Sequence, residues 1–420
     1  VNFLGRRLIF HVDANSAYLS WEAVRRLQYG DSLDLRTVPS VVGGNQETRR
    51  GIVLARSIPA KKYGIVTGEP VFSARAKCPK LIVVPPDYYF YMQCSKAFGE
   101  VLQEYSPLVE QYSIDEYFLD YTGMVQTLGD PLQAAYRLKE QIKEELGFTV
   151  NVGISSNKLL AKMGSELKKP DMVHTLFPEE IPYKMWPLPV EKLFGVGRAT
   201  AAKLRDRGIL TIGDLANTDP QWLKSFLKSY GYLLWNFANG QDESPVIPNR
   251  RVAIKGIGNS TTIPFDVHDR QTASLVLLSL VESVGIRLRQ AKYLAGLVAV
   301  SIKTNEFYSY SHQRKLSTPT DSTNRIHEIA CELFDEIWRQ EPIRHLGVRV
   351  AELSSNSLIQ ASIFEQDMEK QRAMDRAVDE IRSRYGLKSV MRASFLHSGL
   401  SCIAGGTITE EEYPLMSSLL

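Results

Sequence analysis

Three carboxylates in this 420-residue chain stand where an acid is costly or conspicuous. Asp13 closes the apolar run RLIFHVD, and burying a carboxylate at the end of such a strand is unfavourable unless it meets a cation or a hydrogen-bond donor. Asp115 and Glu116 lie in YSIDEYFLD, between two strand-like runs. Neighbours on a straight strand point to opposite faces, so both acids can serve one site only if the chain turns there, as at a hairpin tip. Taken singly, an acid ending a strand is commonly a cap, and an acidic pair at a hairpin tip is commonly a solvated turn. Together, three carboxylates would give hard divalent cations their preferred oxygen ligands. Two such ions about 3.5–4 Å apart can activate a hydroxyl and stabilise the leaving oxygen of a phosphoryl transfer.

The elements that must bring these acids together follow from periodicity. Residues 7–13 read as a strand and 15–27 as a helix, with Asn15 as its cap and Tyr18, Trp21, Val24 and Leu27 at helical spacing. A Gly- and Pro-rich stretch with short strand-like runs covers roughly 30–80. A long helix at about 87–105, strands in VEQYS and YFLDY, a helix at about 131–146 and a strand in FTVNVGI follow. With the insertion and first helix set aside, this is the split βαβ plan of a ferredoxin-like domain, in which the first strand and the acidic hairpin lie side by side. The same order of elements recurs over 252–353 without sequence repetition. A mostly helical segment lies between the two, and QDESPVIPNR (241–250) has linker composition.

Five motifs in order extend the reading. HVDANSAYLSWE, GGNQETRRGIVLARSIPAKKYGIVTG, YSIDEYFLD, VGISSNKLLAKMGSELKKP and LGVRVAEL resemble motifs of the Y-family (translesion) DNA polymerases, in the branch of bacterial polymerase IV and UmuC-like proteins. The resemblance implies an α+β multidomain fold. A ferredoxin-like palm (1–27 and 81–168) would carry a fingers insertion (28–80). A helical thumb with a helix-hairpin-helix (169–242), a second βαββαβ domain or little finger (243–353) and a C-terminal tail (354–420) would follow. It implies template-directed extension of a DNA primer by deoxynucleoside triphosphates past damaged bases, with two Mg²⁺ ions, or Mn²⁺, held by Asp13, Asp115, Glu116 and the carbonyl of Ala14. Tyr18 falls at the steric gate that would exclude a ribose 2′-OH, against the plainer reading of a core residue beside Trp21. Lys61 and Lys169 would bind the β- and γ-phosphates. Here the chain departs from the family, with Ile58-Pro59-Ala60-Lys61 in place of Tyr-Glu-Ala-Arg. Ile58 cannot donate to a phosphate, and Lys61 cannot bind one bidentately.

Outside the palm, Gly195 and Gly197 in FGVGRATAAKLRDR allow a tight turn that exposes N–H groups to a DNA phosphate, gripping backbone rather than reading sequence. Arg250, Arg251, Lys255, Lys303, Arg314 and Lys315 fall in or beside strand-like runs and would let the little-finger sheet cover phosphates with basic and hydroxyl side chains. Gln360-Ala361-Ser362-Ile363-Phe364 is similar to the pentapeptide by which bacterial polymerases dock on the sliding clamp, with Gln360, Ile363 and Phe364 as its anchors.

Composition bounds the rest. The length suits about three domains. The chain is 44% hydrophobic and 23% charged, as in globular proteins, and its formal charge of +3 neither demands nor excludes nucleic acid. No 18-residue apolar run and no signal-like start is present, so no membrane partner is expected. Cys78, Cys94, Cys331 and Cys402 form no CxxC pair and read as free thiols of a cytoplasmic, nucleoid-associated monomer. Primer-template DNA, deoxynucleoside triphosphates and the clamp are the expected partners. Three alternatives stay open at this stage: a DNA-binding accessory protein without activity, another two-metal enzyme such as a nucleotide cyclase, and a UmuC-like subunit that needs partners.

Overall fold

The computed structural model describes residues 5–45, 49, 51–248, 254–355, 368–396 and 398–404. Gln360, Ile363 and Phe364, together with Arg250 and Arg251, lie outside the described residues. The chain divides into two compact units, one covering Val1–Gly43 and Val53–Arg251, the other Gly44–Ile52 and Val252–Tyr413.

The first unit is built on β1 (Ile9–Ala14) and α1 (Ala17–Gln28), then β2 (Ser40–Gly43), β3 (Val53–Arg56) and β4 (Ile82–Val84). It continues with α2 (Tyr88–Gln103), β5 (Val109–Gln111), β6 (Glu116–Asp120), α3 (Pro131–Leu146), β7 (Val150–Ser155), α4 (Lys158–Glu166) and β8 (Val173–Thr175). The main sheet has the order β5-β6-β1-β7-β8. Its first four strands are antiparallel neighbours, the ferredoxin-like arrangement expected from the element order. Strands β3-β2-β4 form a separate small sheet that runs on to Val84.

β1 is buried along its whole length because both faces are covered. Phe10 and Val12 pack with α2 and α3, through residues such as Phe98, Leu102 and Leu138. Ile9 packs on the opposite face with Phe118, Ala161 of α4 and Val246. Period-two alternation therefore puts His11 and Asp13 on the α4 side of the sheet.

α4 starts at an Asn157 cap, whose side chain accepts from the Leu160 amide at 2.8 Å. It sits very close to β7: a Cβ added to Gly153 would stand 1.9 Å from the Ala161 carbonyl oxygen and 2.4 Å from the Ser165 nitrogen. Only glycine permits that approach.

One cap expectation fails. α1 begins after Ser16, whose φ of 50° is left-handed and whose side chain makes no capping bond. Asn15 instead ties strands together. Its amide donates to Asn151 at 3.1 Å, and its side-chain oxygen accepts from Thr149 at 3.0 Å and from the Asp171 amide at 2.8 Å. An Asn between a strand and a helix has both uses open, and here the cross-strand partners outnumber the single helical donor.

The helical part of this unit packs around Leu204, Ile212, Leu223 and Leu234. It includes α5 (Arg198–Arg205) and α6 (Ser229–Ala238). The segment after it is docked rather than loose: Asp242 accepts from the Leu159 amide at 3.1 Å, Arg7 donates to the Ser244 carbonyl at 2.8 Å, and Glu110 accepts from the Ile247 amide at 2.9 Å.

The second unit contains β9 (Gly256–Val267), α7 (Arg270–Gln290), β10 (Tyr293–Thr304), β11 (Ser309–Thr320), α8 (Thr323–Ile337), β12 (Ile343–Ser355) and α9 (Met368–Tyr385). The βαββαβ order is as expected, but the sheet order is β11-β10-β12-β9. In the first unit the hairpin's return strand β6 fills the gap between β1 and β5. In the second the last strand β12 fills the gap between β9 and β10. α7 is long and apolar enough to cross a membrane, yet it is mostly buried as this unit's core helix.

Among the described residues beyond 367, α9 and parts of 392–402 are docked on this unit. Glu282 of α7, 3% exposed, accepts from Arg382 of α9 at 2.6 Å and from Arg392. Arg289 is paired with Asp379 at 2.6 Å. Phe395 and Cys402 pack on Leu278. A carboxylate buried between two guanidiniums is costly to strip of its partners, so Glu282→Ala destabilises this unit by about 3–5 kcal/mol. Faster hydrogen exchange over residues 368–385 is the readout. Burial alone would raise the Glu282 pKa, but Arg382 and Arg392 outweigh it and hold the carboxyl below its ordinary 4.5. The stabilisation is therefore complete above about pH 4.5 and is lost as pH falls through the depressed value.

Candidate active site and nucleic-acid surfaces

Strand register brings the first two acids together. Asp13 of β1 lies directly opposite Glu116 of β6, which places both side chains on one face. Asp115 precedes β6 in the turn, where the amides of Tyr112 and Ser113 both donate to the Glu116 carbonyl, at 2.9 and 3.1 Å. The Ala14 amide donates to the Asp115 carbonyl at 2.9 Å, pinning the turn to the end of β1.

Carboxylate oxygens of Asp13, Glu116 and Glu166 lie within 4.8 Å of one another. Asp115 is the neighbour that stays apart from this set; its Oδ1 accepts from the Ser113 hydroxyl at 2.7 Å. Glu166 was not singled out in the sequence. Neither was Lys162, whose Nζ donates to both oxygens of Glu116 at 2.7 Å, nor Arg56. A signal for the first two existed: Lys158, Lys162 and Glu166 follow at intervals of four and share one side of α4.

Lys169 donates to Asp13 at 2.8 Å and to Glu166 at 2.6 Å. Burial would lower its pKa, but Asp13 and Glu166 together raise it. Burial pushes the Asp13 carboxyl up to about 7, against Lys169 and with help from Glu116. Burial also raises Asp115, opposed by the Ser113 hydroxyl. His11, fully buried, has its pKa lowered well below the ordinary value by burial and then by Lys162, Lys169 and Lys158. Its Nδ1 is 2.7 Å from the Ser165 hydroxyl. Lys61, exposed as a residue, has an ammonium pKa lowered by partial desolvation, then by Arg56 and Lys169. The site thus holds a carboxylate cluster beside converging cations. Crowded carboxylates with oxygen donors, two of them (Asp13 and Asp115) raised, fit hard divalent cations, which would relieve their repulsion.

Lys61 is exposed on a short helix, Ile58–Lys62, capped by Ser57. Ile58 is also exposed, 47%. Tyr18 is half-buried; its ring stacks on Tyr91 at 4.4 Å and meets Tyr88 edge-on.

In the helical part, Gly195 has φ of +91°, and a Cβ there would stand 3.2 Å from the Tyr230 hydroxyl. Gly197 precedes α5 with no side-chain cap and open space around it. Unsatisfied amides at such a helix start suit an anion.

In the second unit, the register separates the sheet's two faces. Val298, Val300 and Ile302 are buried in the core, and their partners Arg314, His312 and Tyr310 share that side. Arg314 is accordingly tied to Glu332 and Glu336 of α8 rather than presented on the open face expected for it. The other face carries Lys303 and Lys315, and adds Arg349, His345, Ser301, Ser311, Ser260 and Thr262. Lys315 also pairs with Glu352 at 2.9 Å. Lys255 is exposed just before β9. The four cysteines are free thiols, as expected.

Residues 12–166 match the model of the impB/mucB/samB family, 254–363 match that family's C-terminal domain, and 178–209 match its HHH motif. The chain is 46% identical over 391 residues to a DNA polymerase IV of Clostridium acetobutylicum, covering 93% of this chain and 98% of that protein. It is 40% identical over 396 residues to a DNA polymerase IV of Acetivibrio thermocellus, with 93% and 98% covered. Among solved structures, a Y-family DNA polymerase chimera superposes with a TM-score of 0.70 at 23% identity, covering 83% of this chain and all of that one.

Proposed function

The chain belongs to the impB/mucB/samB family of Y-family DNA polymerases, and from that premise we propose how its own residues carry out DNA synthesis. It is a DNA-directed DNA polymerase of the translesion type. The observation that carries the residue assignment is the register of Asp13 opposite Glu116, with Asp115 in the adjoining turn.

Asp13, Asp115, Glu116 and the Ala14 carbonyl would hold two divalent cations, Mg²⁺ or Mn²⁺. When bound, the cations acidify the primer 3′ hydroxyl and neutralise charge on the α-phosphate and the departing pyrophosphate. The protein's part is placement and electrostatics rather than covalent chemistry. β1 and the β5–β6 turn fix the carboxylates. Lys61, Arg56 and Lys169 converge where a triphosphate needs positive charge, and Tyr18 is the sugar gate. Lys61→Ala raises the deoxynucleotide KM about tenfold with a smaller effect on kcat, because a ground-state phosphate contact is lost. Unchanged steady-state KM would remove Lys61 from the triphosphate site.

The five-stranded sheet and its helices serve as palm, the small sheet as fingers and the helical part as thumb. The second unit serves as little finger, with its Lys303–Arg349 face on DNA phosphates. Gly195 and Gly197 grip the backbone through amides. Gln360, Ile363 and Phe364 dock on the sliding clamp, a reading supported by the pentapeptide alone. The polymerase works as a monomer in the cytoplasm, where chromosomal DNA and nucleotides are found.

The test mixes the purified chain with primed template and four deoxynucleoside triphosphates, with and without Mg²⁺. Metal-dependent extension is expected. Tight primer-template binding without extension would favour a subunit that needs partners.

A further inference from the structure

Lys162 stands where three parts of the first unit meet. Its Nζ bridges both oxygens of Glu116 at 2.7 Å. The same ammonium lies 5.0 Å over the Tyr112 ring and 5.6 Å over the Phe194 ring. Tyr112 belongs to the turn that carries Asp115, and Phe194 immediately precedes Gly195. Lys162 also lines a cleft of about 310 Å³ with Glu166, Pro189, Lys192 and Phe194. Its side chain is only 13% exposed, so water screens its charge incompletely.

We propose that Lys162 is a positioning residue, an internal counter-ion that orients Glu116 and sets how strongly the acidic cluster takes a divalent cation. The inference rests on the metal-site reading above. An ammonium spanning both Glu116 oxygens engages the lone pairs that a cation would use. A divalent cation entering the cluster must share Glu116 with Lys162 or turn Lys162 aside, and like charges at such range repel. The two aromatic faces give the ammonium a second place of rest, since ring quadrupoles attract cations. The proposed hairpin grip and the acidic cluster are thereby joined through one side chain, from Phe194 through Lys162 to Glu116.

Two effects of opposite sign follow for Lys162→Met, which keeps an unbranched side chain one atom shorter and loses charge. Mn²⁺ affinity in the absence of DNA and nucleotide rises by on the order of tenfold, because the competing charge is gone. Turnover falls, because Glu116 loses the partner that fixes its rotamer. A folding defect would weaken both. Lys162→Arg keeps the charge and returns the affinity close to that of the wild-type chain.

The experiment is a Mn²⁺ titration followed by electron paramagnetic resonance of free Mn²⁺. It compares the wild-type chain, K162M, K162R and a D13N/D115N/E116Q variant, with K162Q as the neutral replacement should K162M not fold. Tighter binding by K162M or K162Q, restored by K162R, supports the proposal. Unchanged or weaker binding by the neutral variants, with binding lost in the acid variant, overturns it and leaves the metal-site reading intact. Equal binding by the acid variant and the wild type defeats the metal-site reading, and this inference with it.

Discussion

With Asp115 and Glu116 both replaced by alanine, Mg²⁺-dependent primer extension falls by about 10³-fold or more while the chain stays folded. The size follows from what is removed. Each tenfold in rate corresponds to about 1.4 kcal/mol of barrier. On the proposed assignment, loss of two of three carboxylates takes away oxygen ligands for the cations that would neutralise charge on the transferring phosphoryl group. Stability should not follow activity down. Burial and then repulsion from Glu116 hold the Asp13 and Asp115 carboxyls above their ordinary range, so the folded chain gains relief when acids leave the cluster. Lys162, bereft of Glu116, still has the Tyr112 and Phe194 rings. Running-start extension assays beside thermal melting separate the two effects. A double variant that extends primers at the wild-type rate would remove this cluster from the reaction.

Tyr18→Ala lowers discrimination against ribonucleotides by about 10²–10³-fold, whereas Tyr18→Phe keeps it. A gate must be rigid to reject one oxygen atom. The Tyr18 ring is stacked on Tyr91 with 14° between planes, tilted against Trp21 and edge-on to Tyr88. Tyr91 is itself fixed, since its hydroxyl donates to Glu22 at 2.9 Å, and Glu22 pairs with Arg25. Arg25 reaches Asp87, whose carboxylate caps α2. The ring cannot swing aside without unstacking this series, so a 2′-hydroxyl would meet a wall. The measurement is the ratio of kcat/KM for matched deoxy- and ribonucleoside triphosphates. An unchanged ratio in the alanine variant would leave Tyr18 as a core residue only.

Much of this arrangement is written in local pattern. The strand that carries Asp13 near its end, the turn needed at Asp115 and the glycine turn before α5 all follow from hydrophobic period and residue type. What escaped the sequence depends on distant partners. Asn15 has the chemistry of a cap, and only the folded chain reveals Asn151, Thr149 and Asp171 as its competitors. Lys162 and Glu166 look like solvated helix charges until Glu116 and Lys169 are placed beside them. Arg314 has the same composition signal as Lys315, yet one residue of register sends it to the opposite face. Residues 368–404 read as polar because their charges, Arg382 and Arg392 above all, are matched to Glu282 a hundred positions away. The strand order of the second unit is likewise undetermined by its element order, since two different strands can fill the same gap.

The close approach at Gly153 has a mechanical consequence. With helix backbone where a side chain would otherwise stand, α4 and β7 cannot slide past one another or be repacked by exchanging neighbours. β7 is hydrogen-bonded to β1, so the strand bearing Asp13 and the helix bearing Lys162 and Glu166 behave as a single stiff plate. The spacing of the backbone positions that carry Asp13, Lys162 and Glu166 is therefore fixed, set by one missing methyl group. Adjustment of the charge balance is left to rotamers alone.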